Sequence, residues 1–99
     1  MPNLRSSLPP LNALVVFEAA HRHRNFTHAA DELALSQASV SRQIRQLEEN
    51  LGVPLFIRGR HDVSPTEAGR ILAETATRAL AEVALTAGRL RDRGRRDET

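Results

Sequence analysis

The sequence has no cysteine, no lysine, no tryptophan and no tyrosine, and only three phenylalanines in 99 residues. Without cysteine there is no disulfide framework and no thiolate metal site. No run approaches the ~18 consecutive apolar residues of a membrane span, and the opening MPNLRSSLPP lacks the apolar centre of a secretory signal. The expected location is cytoplasmic, with no membrane partner. There is no glycine-rich phosphate loop, no cleft-like pair of carboxylates and no metal-ligand spacing, so the reading is not an enzyme, and no cofactor is expected. Charge of one sign is not in large excess either. The net charge is +2, and nucleic-acid binding has to be argued from where the charges lie. All 14 basic residues are arginine, the side chain suited to bidentate recognition of phosphate and guanine, although a GC-rich genome produces the same bias. The length suits one small domain plus an extension, and so small a core makes oligomerisation a source of extra stability.

What is present centres on the stretch 26–47, FTHAADELALSQASVSRQIRQL. Ala29, Ala30 and Leu33 follow Phe26 at steps of 3, 4 and 7, which predicts a helix over 27–33 with Thr27 as its cap. Ala34, Leu35 and Ser36 break it. Ser36 caps a second helix over 37–51, and Gly52 ends it. Val40, Ile44, Leu47 and Leu51 form the buried stripe of that helix. Its other face shows Gln37, Ala38, Ser41, Arg42 and Arg45, with no acid before Glu48 and Glu49, which read as a solvated last turn. Such a helix can bring its first turns to the floor of a DNA major groove. Glutamine pairs with adenine, arginine with guanine, and a short side chain touches a thymine methyl. The positive end of the helix dipole then lies near phosphate. Ala29 and Ala30 are small enough for two helices to cross steeply through a short turn. Taken alone, an ordinary helical hairpin with a solvated polar face fits equally well.

The flanking segments tip that balance. Residues 1–9 are polar or proline-rich and expected to be loose, and Pro10 suits a helix start. The first helix is predicted over 11–23, with Leu11, Leu14, Val15, Phe17 and Ala20 inward. His21 and His23 at its end point about 200° apart and cannot share a metal. After the break Gly52-Val53-Pro54, the run Leu55-Phe56-Ile57 is β-prone, 58–62 reads as a turn, and Val63 starts a return strand. This is a wing directly after the candidate reading helix. Arg58 and Arg60 at its tip could clamp phosphate or enter a minor groove. Ser64 as cap, Pro65 at the first position and Glu67 closing a capping box predict a helix from 65 to about 90, roughly 40 Å long. Ala73, Ala76, Leu80, Val83, Ala87 and Leu90 alternate at steps of 3 and 4, a heptad seam that points to the same helix of a second subunit. Ile71 and Leu72 are expected to fold back on their own domain. The five arginines between 89 and 96 read as a fraying end or a linker.

Over about residues 8–91 the chain resembles the N-terminal DNA-binding domain of LysR-type transcriptional regulators. The resemblance is carried by LPPLNALVVFEAA (8–20), NFTHAADELALSQASVSRQIRQLEENLGVPLF (25–56) and SPTEAG (64–69). The opening block is similar to the subgroup of the glycine-cleavage activator and the β-lactamase regulator. The resemblance implies a mainly α, winged helix-turn-helix fold: three helices and a short β-hairpin wing, then a long linker helix that dimerises the domains. The implied organisation is a flexible 1–8, the winged domain at 9–66 with the helix-turn-helix at 26–45, the dimerisation helix at 65–91 and the start of an interdomain linker at 92–99. It also implies the site: Gln37, Ala38, Ser39 and Arg42 at bases, Asn25, Thr27, Ser36, Ser41 and Arg45 at phosphates, Arg58 and Arg60 in the wing.

Two departures stand out. Ala34 occupies a turn position where many such motifs have glycine, which alanine can fill if that residue stays helical. The family also carries a C-terminal, periplasmic-binding-protein-like domain that senses a small molecule and is absent here, with RDET at 96–99 similar to the linker before it. The expectation is a truncated piece that binds double-stranded DNA as a homodimer on an interrupted palindrome and answers to no effector, whereas full-length relatives are often tetramers. Two rivals stay open: a stand-alone winged-helix repressor of another family, and a helical dimerisation module with no role at DNA.

Overall fold

Short polar caps set where the elements begin. The computed structural model describes residues 3–60 and 62–97, and His61 of the predicted wing turn lies outside the described residues. Asn3 caps a single exposed turn, α1 (Leu4–Ser7), where the sequence predicts only a loose N-terminus; none of its residues is buried. Then follow α2 (Leu11–His23), α3 (Phe26–Leu33), α4 (Gln37–Leu51), β1 (Phe56–Arg58), β2 (Val63–Pro65) and α5 (Glu67–Asp97). The ends of α2 and α4 fall where the pattern places them.

Two caps shift. Asn25 rather than Thr27 starts α3: its side chain accepts the His28 N–H at 2.9 Å, so Phe26 is already helical. Thr66 rather than Ser64 starts α5: its hydroxyl accepts the Gly69 N–H at 3.0 Å and donates to the Pro54 carbonyl at 2.8 Å. Strand pairing is the reason. Pro65 is still opposite Phe56 in the antiparallel β1–β2 pair, so the helix cannot begin at 65. At its far end α5 continues to Asp97, beyond the predicted stop near 90, and takes in most of the predicted linker 92–99. No proline interrupts this segment, and Arg95 pairs with Asp92 one turn back.

The core is centred on Phe17, Val40, Ile44, Leu47 and Leu55, all fully buried. The Phe56 ring lies 5.5 Å from those of Phe17 and Phe26, tilted to the first and edge-on to the second, which pins the wing onto α2 and α3. Ala29 and Ala30 are buried at the helix crossing, as their size predicts. Which face of α2 turns inward differs from the simple stripe. Leu14, Phe17 and Ala20 are inside, but Leu11 is 63% exposed and Val15 39%, while Ala13, Val16 and Ala19 are buried. Helix α2 packs against α3, α4 and α5 together, so small residues are needed on several sides and the two larger ones fall on the rim. Leu51, predicted to end the α4 stripe, is also largely exposed, because the chain turns away at Gly52 in a left-handed conformation.

The long helix is anchored by its first turns. Gly69 lies so close to the wing that a Cβ would sit 2.2 Å from the Leu55 carbonyl oxygen, which explains a glycine inside a helix. Ala73 and Ala76, at 4% and 5% exposure, belong to the protein's own core, and Leu80 is half-buried against it. Ala73 and Ala76 are therefore removed from the predicted intersubunit seam: α2 already covers them. Ile71, expected to fold back, is exposed, and Leu72 is half-buried against the core. Val83 and Leu90 are 67% and 61% exposed, and Val83 lines a groove with Leu11 and Val15 of α2. On the surface Arg22 joins α2 to α3, bonding Glu18 at 2.8 Å and Glu32 at 2.6 Å. Hydrogen bonds from Arg22, then from His23, bring the Glu32 carboxyl down to about 2.

Candidate nucleic-acid interface

The candidate surface is built from the N-terminal ends of α3 and α4, the outer face of α4, and the wing. Each helix start is held by a side chain that keeps donors to spare. Asn25 uses its carbonyl oxygen for the α3 cap, which leaves the amide NH2 free to face outward. Ser36 accepts the Ser39 N–H at 3.1 Å, and its own hydroxyl proton can still be donated. Thr27 is exposed in the first turn of α3. The unpaired N–H groups and the positive dipole end of each helix suit an anion.

Along α4 the exposed residues lie in register. Ala38, Arg42 and Gln46 follow at steps of four, with Gln37 and Arg45 alongside. Arg42 and Arg45 have no ion-pair partner among the described residues. Their guanidinium groups are free for an external acceptor. Ser39 and Ser41 are placed differently. Both are half-buried at the flanks of the helix, and Ser39 Oγ accepts the Gln43 amide at 3.3 Å. Gln46 was not singled out by the sequence pattern, although its spacing of four from Arg42 marks the same face.

Of the two acids in the last turn, Glu49 stays exposed one turn after Arg45, and Glu48 is engaged elsewhere. Glu48 is not a solvated last-turn residue. Its carboxylate accepts the Leu55 N–H at 2.7 Å and lies 3.6 Å from Arg58, so it fastens the base of the wing to α4. Arg58 also sits over the Phe26 ring, 5.4 Å from its centre. Arg58 thus belongs to the root of the wing, and Arg60 to its exposed tip. The tip is closed by the Gly59 N–H donating to the Asp62 carbonyl at 2.9 Å. Among the described residues no cluster of three histidines or acids could hold a metal, and no helix is long and apolar enough to cross a membrane.

The profile of a known family, described as the bacterial regulatory helix-turn-helix protein of the lysR family, matches residues 11–70. The chain is 56% identical over 63 residues to the glycine cleavage system transcriptional activator of Escherichia coli K12, an alignment covering 64% of this chain and 21% of that protein. It is 46% identical over 81 residues to the transcriptional activator AmpR of Providencia stuartii, covering 82% of this chain and 27% of that one. The matched segment therefore spans a fifth to about a quarter of these relatives. Among solved structures, the BenM DNA-binding domain in complex with catB site 1 DNA superposes with a TM-score of 0.77 at 35% identity, covering 84% of this chain and 92% of that one. The CbnR DNA-binding domain–DNA complex superposes at 0.74 with 32% identity, covering 86% and 98%.

Proposed function

The chain belongs to the LysR family of bacterial regulatory helix-turn-helix proteins, and from that premise we propose that it is the sequence-specific, double-stranded-DNA-binding part of a transcription regulator. The observation that carries the reading is the outer face of α4: two unpaired arginines in line with Gln37, Ala38 and Gln46, and the nearest acid, Glu48, turned into the wing. Arg42 reads a base edge together with Gln37 and Ala38, and Arg45 meets phosphate. Asn25, Thr27 and Ser36 hold backbone phosphates at the two helix starts, with Ser39 and Ser41 in supporting positions at the flanks. Arg60 reaches the minor groove beside the site, and Arg58 steadies the wing that carries it.

The unit we assign to DNA is 9–66, and α5 joins two such units. Leu80, Val83, Ala87 and Leu90 form the surviving part of the seam, and a second copy of α5 covers them about a two-fold axis. Two α4 helices then enter successive major grooves of an interrupted palindrome. Such a domain would work in the cytoplasm. A stand-alone repressor of another family is set aside by the family match. The reading of α5 as a helical module without a role at DNA is tested by selecting bound duplexes from a random pool. The expected result is an enriched interrupted palindrome. Binding without enrichment, vanishing as salt rises, would overturn the proposal.

A further inference from the structure

A second group of arginines lies away from α4, where the end of α2 meets the first turns of α5. Arg24, Arg70 and Arg78 line a cavity of about 380 Å³ there, with His21, Glu74 and Thr77. Each arginine is tethered through one N–H to a backbone carbonyl: Arg24 to His21 at 3.0 Å, Arg70 to Pro65 at 3.4 Å, Arg78 to Glu74 at 3.3 Å. A guanidinium has five donors, so most of them are left. Among the described residues none of the three is in an ion pair, whereas Arg22, Arg58 and Arg95 each have a carboxylate partner. Glu74 is the single acid lining the cavity. Burial, and then Arg24, hold the pKa of His21 below the ordinary value.

The cavity is joined to the candidate interface. The Val63 N–H of β2 donates to the Arg24 carbonyl at 3.4 Å, and Arg70 donates to Pro65 at the other end of that strand. Arg24 directly precedes Asn25, the cap of α3. The root of the wing and the start of α3 are thus tied to Arg24 and Arg70, and Arg78 lines the same cavity two turns further along α5. Three arginines from the end of α2 and from α5 line one cavity, which suits a tetrahedral anion better than a planar carboxylate that one arginine can satisfy.

We propose that Arg24, Arg70 and Arg78 form a second anion site that takes a phosphate group, supplied by the DNA backbone beyond the wing. The DNA source rests on the function proposed above; the same chemistry would accept free phosphate. Two readouts separate these sources. The first is the salt dependence of binding to the selected duplex, trimmed to its motif or extended by a helical turn at each end, for the chain and for Arg70→Gln/Arg78→Gln. Both positions are exposed, and a thermal melt checks that the variant folds. The second is a titration with inorganic phosphate, followed in the arginine side-chain NMR signals, with Arg24→Gln as a further variant. The expected result is a salt slope lower by about 1–2 for the double variant on the extended duplex only, and phosphate shifts at Arg24, Arg70 and Arg78. Phosphate shifts with an unchanged slope would overturn the DNA source and leave a free-anion site. A chain that binds no duplex but shows the shifts would sink the DNA reading and uphold the anion site. Neither effect would overturn the proposal entirely.

Discussion

Ala34 sits at φ 57°, ψ 42°, in the left-handed region, and its N–H closes the end of α3 onto Ala30 and Asp31. The turn does not keep this residue helical, as alanine would prefer. An L side chain costs about 1–2 kcal/mol there, so Ala34→Gly should raise the unfolding free energy by about 0.5–1 kcal/mol after glycine's extra freedom in the unfolded chain is deducted. Urea unfolding measures it, and a loss of stability would contradict the backbone assignment. His21 makes a pH prediction. Its pKa is depressed by burial and by Arg24, against Glu18, and its Nε2 is shielded without a partner. The unfolded chain therefore binds the extra proton first. Stability is full above about pH 6.5 and falls as the pH drops below it toward the depressed folded value. Unfolding of the protein at pH 7.5 and 5 should show a larger loss than in His21→Gln; equal losses would refute it. At this scale caps were the least legible feature, because Asn25 and Thr27, or Ser64 and Thr66, are all residue types that cap helices, and the intrinsic ranking picks Asn25 but not Thr66. Contacts distant in sequence, such as Thr66 with Pro54, decide between them.

At the scale of elements, α2 and α4 could be read to the residue, since proline or serine opens them and a left-handed residue closes them. The buried stripe of α4 was legible as far as Leu47 because one side of it meets the core. That of α2 was not, because three helices surround it and the period of a single face no longer applies. The wing was legible as two strands and a turn, but its fastening through Glu48 was not: a carboxylate in a last turn looks solvated until the strand beside it is known. Gly69 belongs here too. The close approach of α5 to Leu55 leaves no room for a methyl group, so Gly69→Ala should destabilise the domain by about 1–3 kcal/mol, read by thermal or chemical unfolding. Unchanged stability would mean that α5 does not dock on the wing in solution.

For the whole molecule, α5 sets the shape: 31 residues and about 46 Å of helix in a molecule of 53 × 36 × 20 Å. The heptad steps along it hold two uses in one pattern, own core at Ala73 and Ala76, exposed surface at Val83 and Leu90. Sequence spacing cannot show where one gives way to the other; the reach of α2 does. Val83→Asp should halve the sedimenting mass and leave the monomer's helicity unchanged, whereas an unaltered mass would refute the seam. The central claim is that the outer face of α4 reads bases. The direct measurement is the duplex selection repeated with Arg42→Ala. The same interrupted palindrome should emerge with the preference lost at one symmetric position, at a cost of about 1–3 kcal/mol on the original site. A uniform loss on every sequence, or an unaltered motif, would contradict it.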